Sequence, residues 1–175
     1  MIFHPSSSAP TERHSMNHRA IAEQLITSLG KTLNLPELKL DDVTHSCVLL
    51  FDENIVLNIE FDANGGQLIL SAYLDEMPAE STDRVMREMM IANLYWHRTD
   101  GATLGLEELT GGIILADRRP IAVLDESGFE KWVEGFVNQT ERWKKRLPEI
   151  AAGTEELMSA PAHPMAGQDG AAIFG

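Results

Sequence analysis

The sequence predicts an α+β fold of two layers: an antiparallel sheet of about five strands covered by helices, in the order α-β-β-β-α-β-β-α. Three observations lead there. Apolar residues recur at helical spacing near both ends of the chain and once in the middle. Three apolar runs between the first two helices are joined by turns too short for a crossover helix, so those strands must run antiparallel. Two further short apolar runs separate the second helix from the third. No internal repeat interrupts the pattern.

Residues 1–15 are rich in Pro, Ser and His and read as a disordered N-terminal segment. They lack the basic start and apolar core of a secretory signal. Ser15 is the expected N-cap of a first helix over about Met16–Leu33, whose stripe is Ile21, Leu25, Leu29 and Leu33, widened by Ala22 and Ile26. Asn34 and Pro36 end it.

Ser46–Phe51 is a continuous apolar run, and Asp52-Glu53-Asn54 is a turn by composition. Ile55–Phe61 alternates, with Ile55, Leu57, Ile59 and Phe61 on one face. Asp62–Gly66 supplies positive-φ positions for a second reversal. Gln67–Leu74 then puts Leu68, Leu70, Ala72 and Leu74 on one face.

Ser81 or Thr82 is placed to cap the second helix, about Asp83–His97, with Asp83 favourable near its positive end. Val85, Met86, Met89, Met90, Ala92, Asn93, Leu94 and Trp96 cover well over half its circumference, more than one small sheet needs. Ala102–Leu106 and Ile113–Ala116 follow as short strands joined by Glu107–Gly112. The last helix, about Glu126–Leu147, carries the stripe Phe129, Trp132, Val133, Phe136, Val137, Thr140 and Trp143, and Pro148 should terminate it. The domain is thus expected over 16–147, with 148–175 a flexible tail rich in Ala, Gly and Pro.

At 175 residues the chain suits one domain with a real core. Its net charge of −13 argues against nucleic acid, whose phosphates need clustered Lys and Arg, and against anionic membrane surfaces. No apolar run approaches the length of a membrane span. Between Glu37 and Glu80 ten acids face one lysine, a concentration that suits a solvated sheet face or a surface attracting a cationic partner segment. Cys47 is the sole cysteine, so no intrachain disulfide forms, and its apolar neighbours mark it as a core residue.

Catalytic chemistry is not indicated. Gly30-Lys31-Thr32 ends like a phosphate loop, but the required first glycine falls at Leu25. Asp62-Ala63-Asn64-Gly65 opens like a calcium loop, but its sixth position is Gln67 and its twelfth Tyr73. The six histidines show no metal-ligand spacing. His45 and Cys47 lie two apart on a strand without a third, orienting group. The glycines of Gly101–Gly105 mark tight turning. The expectation is a binding module with no catalytic, cofactor or metal site.

The methionines of the second helix are either core or interface. The interface reading is preferred because Met packs adaptably and is enriched where proteins meet. It places Met86, Met89, Met90, Asn93 and Trp96 against a second copy of the chain.

Taken together, CVLLFDENIVLNIEF, LILSAYL, MMIANLYW, GATLGLEELTGGIIL with ADRRP, and FEKWVEGFVNQTERW resemble the class I type III secretion chaperones, the Tir-chaperone (CesT-like) family, over about residues 17–147. The resemblance implies the same α-β-β-β-α-β-β-α order and a homodimer joined through the second helix and nearby strands. It implies binding of the N-terminal part of a secreted effector, held extended and export-ready in the cytosol of a Gram-negative bacterium, without ATP or cofactor. The secretion-system ATPase is a further implied partner. For cargo contact the expected residues are Ile21, Leu25 and Leu29 of the first helix and Leu49, Phe51, Leu57, Ile59 and Leu70 of the sheet. An adaptor or regulatory module binding a folded partner is the alternative, and a small hydrolase using Cys47 or a histidine a third class.

Overall fold

The computed structural model describes residues 10–154, and side chains from 18 onward. Most of both expected tails, with His4 and His163, lies outside the described residues. Within them the order is α1 (Pro10–Thr32), β1 (Ser46–Phe51), β2 (Ile55–Asp62), β3 (Gln67–Glu76), α2 (Thr82–Asn93), β4 (Thr103–Leu106), β5 (Gly112–Pro120) and α3 (Glu126–Ala152). This is the predicted α+β arrangement of three helices and five antiparallel strands.

The sheet order is β1-β2-β3-β5-β4, so β1 and β4 are its edges. One row of pairs, Leu49–Leu57–Ala72–Leu115–Leu104, crosses all five strands, and every member is buried. A period of two puts the neighbouring row, Val48–Asn58–Ser71–Ala116–Thr103, on the opposite face. The core lies between the first face and the helices, and its largest fully buried side chains include Trp143, Phe129 and Ile26. The expected inward sets of β2 and β3 are all buried, as is Cys47, whose thiol is pushed up to about 11 by burial.

Several boundaries differ from expectation. α1 starts at Pro10, so Ser15 lies inside the helix and not at its cap. Proline presets φ for a first turn, and Thr11–Ser15 contain no residue that breaks a helix. At the other end α3 runs through Pro148 to Ala152. An interior proline costs about 3 kcal/mol. Burial of Leu147 and Ile150, each contributing roughly 1.5–3 kcal/mol, outweighs that cost. Arg84 Nη1 also donates to the Ile150 and Ala151 carbonyls, and Gly153 closes the helix in the left-handed region at φ 70°. Asp125 is its N-cap, accepting from Gly128 N.

α2 has no side-chain cap: neither Ser81 nor Thr82 serves, and Thr82 Oγ1 donates back to the Pro78 carbonyl. The helix also stops early, at Asn93. The Asn93 amide donates to Leu104 O and accepts from Leu104 N, both at 2.9 Å, tying the helix end to edge strand β4. Leu94 then turns extended, and Leu94–Trp96 form a separate 3-10 turn with positive φ at Tyr95 and Trp96.

Candidate functional site

Two surfaces are left uncovered by the fold. The first is the outer side of α2 with its following turn and β4. Met86, Met90, Leu94, Tyr95, Trp96 and Leu106 are all exposed large apolar residues there, Met90 and Tyr95 at 72%. Positive φ at two aromatic residues costs on the order of 1 kcal/mol each. Trp96 Nε1 donates to Thr103 Oγ1, which holds the ring beside the open edge of β4. A contiguous apolar patch rimmed by polar groups marks an interaction surface.

Of the five residues expected at a subunit interface, Met86, Met90 and Trp96 lie on this surface. Met89 is a correction: it is 6% exposed and packs in the core with Val85 and Ala92. A position one residue before Met90 turns about 100° around the helix, which takes it from the outer side to the inner. Asn93 is half-buried, and its amide bonds both backbone groups of Leu104, so it holds the helix end against β4 beside this surface. Leu94, Tyr95 and Leu106 lie on the same surface and were not among the five. Their exposure depends on the end of the helix at Asn93 and on which side of β4 faces outward, and neither has a local signature.

The second surface follows the seam between α1 and α3 to the end of β1. Gln24 Nε2 and Ser28 Oγ donate to the Glu126 carboxylate, and Thr32 Oγ1 donates to Glu130 Oε1. Those bonds hold the Glu126 carboxyl below the usual range, chiefly through Gln24 and Ser28. Two cavities open along the seam. One of about 430 Å³ has Ile21, Leu25 and Leu124 with the acids Asp125 and Glu126. The other, of about 380 Å³, has Leu29, Leu33, Phe51 and Val133 with Glu130 and Glu134. Both therefore combine apolar walls with carboxylates.

Ile21, Leu25, Leu29 and Phe51 border open cavities, but Leu25 and Leu29 are only 3% exposed and belong to the core, so Ile21 and Phe51 alone present appreciable surface there. Leu49, Leu57, Ile59 and Leu70 are corrected: each is 4% exposed or less, on the sheet face that the helices cover. Alternation assigned them to one face, but only helix packing decides that this face is closed. The same packing leaves Val48, Leu50 and Val56 exposed on the other side, next to the free edge of β1. Within the apolar run Ser46–Phe51, Cys47 and Leu49 are buried while Val48 and Leu50 face the open side.

The isolated catalytic candidates have structural roles. Asp62 Oδ1 accepts from Asn64 N and Gly65 N, and its second oxygen accepts from Gln67 Nε2. The carboxylate therefore holds the turn, where Gly66 takes φ 60°. His45 Nδ1 lies 2.8 Å from Arg19 Nη1, and Arg19 also pairs with Glu23 and Asp42. No cluster of three metal-ligating side chains occurs among the described residues.

The sequence model of the Tir chaperone protein (CesT) family matches residues 24–144, well over half of the chain. The chain belongs to that family. The transcriptional anti-antiactivator ExsC of Pseudomonas aeruginosa is 28% identical over 125 residues, spanning 71% of this chain and 84% of ExsC. The ExsC–ExsE complex has a chain that superposes with a TM-score of 0.65 at 26% identity, covering 74% of this chain and 95% of that one. The HopA1–SchA chaperone–effector complex gives a TM-score of 0.61 at 18% identity, covering 73% and 95%, a likeness of fold. For this CesT-family chain, the resemblance carried by the strand and helix motifs is thereby established. No helix among the described residues is long and apolar enough to cross a membrane.

Proposed function

We propose that this CesT-family protein is a type III secretion chaperone that acts as a homodimer in the bacterial cytosol. In this reading it binds the N-terminal region of one or more secreted effectors, keeps it non-globular, and works by binding without catalysis. The observation that carries the reading is the pairing of two uncovered apolar surfaces on one small subunit. The α2–β4 surface suits a second copy, because its exposed side chains are large and contiguous. The α1–α3 seam and the neighbouring β1 edge suit an extended guest, which can add a strand at the free edge while its side chains enter the two cavities. Carboxylates along the seam favour guests with basic residues beside apolar ones.

Affinity capture from the native cell, followed by hydrogen exchange on the bound partner, tests the proposal. Protection confined to an N-terminal segment that is unprotected when free supports it. Protection on a folded surface supports the adaptor reading instead. The similarity to ExsC, named as a transcriptional anti-antiactivator, favours a regulatory second role in which the chain binds an antiactivator as well as an effector. Displacement of one partner by the other in a binding assay checks that role. Docking on the secretion-system ATPase belongs to the same proposal and is checked by co-sedimentation of the loaded dimer with that enzyme.

A further inference from the structure

Between α2 and α3 lies a patch of the opposite charge to the rest of the chain. Arg142, Lys144, Lys145 and Arg146 fall in one short stretch of α3. Cations in the last turn of a helix complement its dipole, but α3 continues to Ala152 and its last turn holds no basic residue. The subunit itself employs two of the four. Lys144 Nζ donates to the Leu74 carbonyl, and Lys145 pairs with Glu141 at 2.7 Å. Arg142 and Arg146, four residues apart, share one face of the helix.

Arg146 belongs to a cluster around Glu88 of α2, whose side chain is 14% exposed. Arg87 Nη1 lies 3.4 Å from Glu88 Oε1, and Arg98 Nη1 and Arg146 Nη2 lie 3.3 and 3.9 Å from Oε2. One carboxylate cannot balance three guanidinium groups. Arg142 adds a further charge one turn along: it is exposed and has no ion pair among the described residues. Asp100, two residues from Arg98, lines a separate cavity with Arg119 and Lys131. Two residues from both Met86 and Met90, Glu88 sits about 160° around α2 from each. The α3 side of the cluster therefore stays open when the α2–β4 surface is covered.

These features restrict the partner. The cluster is all arginine, whose planar fork matches a carboxylate in pairs of bonds, and Glu88 already occupies its inner side in that role. A long polyanion would run past the cluster onto a chain of net charge −13. A short run of carboxylates stays within the cluster's reach, about 8 Å at physiological salt.

We propose that the arginine cluster of Arg87, Arg98, Arg142 and Arg146 docks a short acidic segment, rich in Asp or Glu, of a protein partner. Its polarity is the reverse of the carboxylate-lined seam between α1 and α3, so the two surfaces select different partners.

The probe is N-acetyl-Ala-Glu-Glu-Glu-Ala-amide, titrated into the full-length chain with 15N-labelled tryptophan. Trp143 reports the site, since Arg146 lies 5.0 Å over its ring and its Nε1 donates to the Arg98 carbonyl. Trp132, under Arg119, is the control for general charge screening. The expected result is a saturable shift of Trp143 that leaves Trp132 in place and weakens at least about threefold between about 50 and 300 mM salt. Arg142→Gln should weaken binding about threefold and Arg142→Glu about tenfold, with unchanged unfolding midpoints, because the side chain is exposed and unpaired. Replacing the three Glu of the peptide by Lys should abolish the shift. An equal response to the Lys peptide, a response indifferent to salt, or wild-type affinity in Arg142→Glu overturns the proposal. So does inorganic phosphate that shifts Trp143 as far as the peptide at equal charge, since the cluster is then a general anion well. No effector enters these titrations, so their failure leaves the chaperone reading standing, and failure of effector capture leaves the acidic-segment site standing.

Discussion

Met90→Glu tests the subunit interface most directly. Met90 is 72% exposed in the isolated subunit, at the centre of the α2 surface. Full burial of a methionine contributes roughly 1.5–3 kcal/mol, so covering this fraction contributes about 1–2 kcal/mol per subunit. A two-fold axis presents the residue twice, which raises the effect to about 2–4 kcal/mol before the introduced charge is considered. At about 1.4 kcal/mol per factor of ten, the dimer dissociation constant should rise by about two orders of magnitude. The assay is light scattering across a concentration series, where wild type should hold twice the 19.4 kDa chain mass and the variant should fall toward one chain. Thermal unfolding of the diluted, monomeric proteins is the control, because an exposed position adds no cavity and no buried charge. Met89→Glu is the contrast: its side chain is 6% exposed, so the variant should lose its fold and not merely its partner. A wild type that stays monomeric at micromolar concentration, or a Met90→Glu chain with undiminished dimer mass, refutes the assignment of this surface.

Asn93→Ala leaves the buried Leu104 N–H and carbonyl without their partner and should cost about 2 kcal/mol, with faster amide exchange confined first to β4. Unchanged exchange at Leu104 would show that the clamp is redundant. Gly135→Ala should raise stability by about 0.5–1 kcal/mol in denaturant melts, since the added methyl meets open space and the helix gains propensity. The Cys47 thiol rises from an ordinary value near 9 to about 11, so stability is full below pH 9 and declines as pH climbs through 11. Cys47→Ala should flatten that alkaline limb, and a limb of unchanged slope would contradict it. Glu126 shifts the other way, so its contribution is present above pH 4.5 and is lost as pH falls through its lower folded value. Glu126→Gln should flatten part of the acid limb in a urea-melt series.

Two of the three helices ended where tertiary packing, and not composition, placed the boundary. Pro148 is a local stop signal, yet Leu147 and Ile150 bury enough surface to carry α3 past it. The pattern of α2 continues beyond Asn93, yet one amide finds a better use in bonding both backbone groups of Leu104, eleven residues on. Strand alternation was more reliable, because a one-residue slip moves every side chain to the other face. It assigned Leu57, Ile59, Leu68 and Leu70 to one side correctly, but it carries no information about which side the helices cover. That is why Leu49, Leu57, Ile59 and Leu70 were expected to meet a guest and instead form the core. Ile21 and Phe51 come closer, since they are half-buried beside the cavities of the α1–α3 seam, whereas Leu25 and Leu29 are core as well.

By itself the chain determined its element order, its inward strand faces, the acidic balance and the excess of apolar residues on its second helix. These depend on neighbours a few positions apart, and short-range spacing is what a sequence displays. Tertiary structure alone decided which face of the sheet stays open, that Met90 faces outward while Met89 does not, and that Arg98 and Arg146 converge on Glu88. Each of those outcomes is set by contacts between segments far apart in the chain, where the competing free energies differ by a few kcal/mol and no local pattern records the winner.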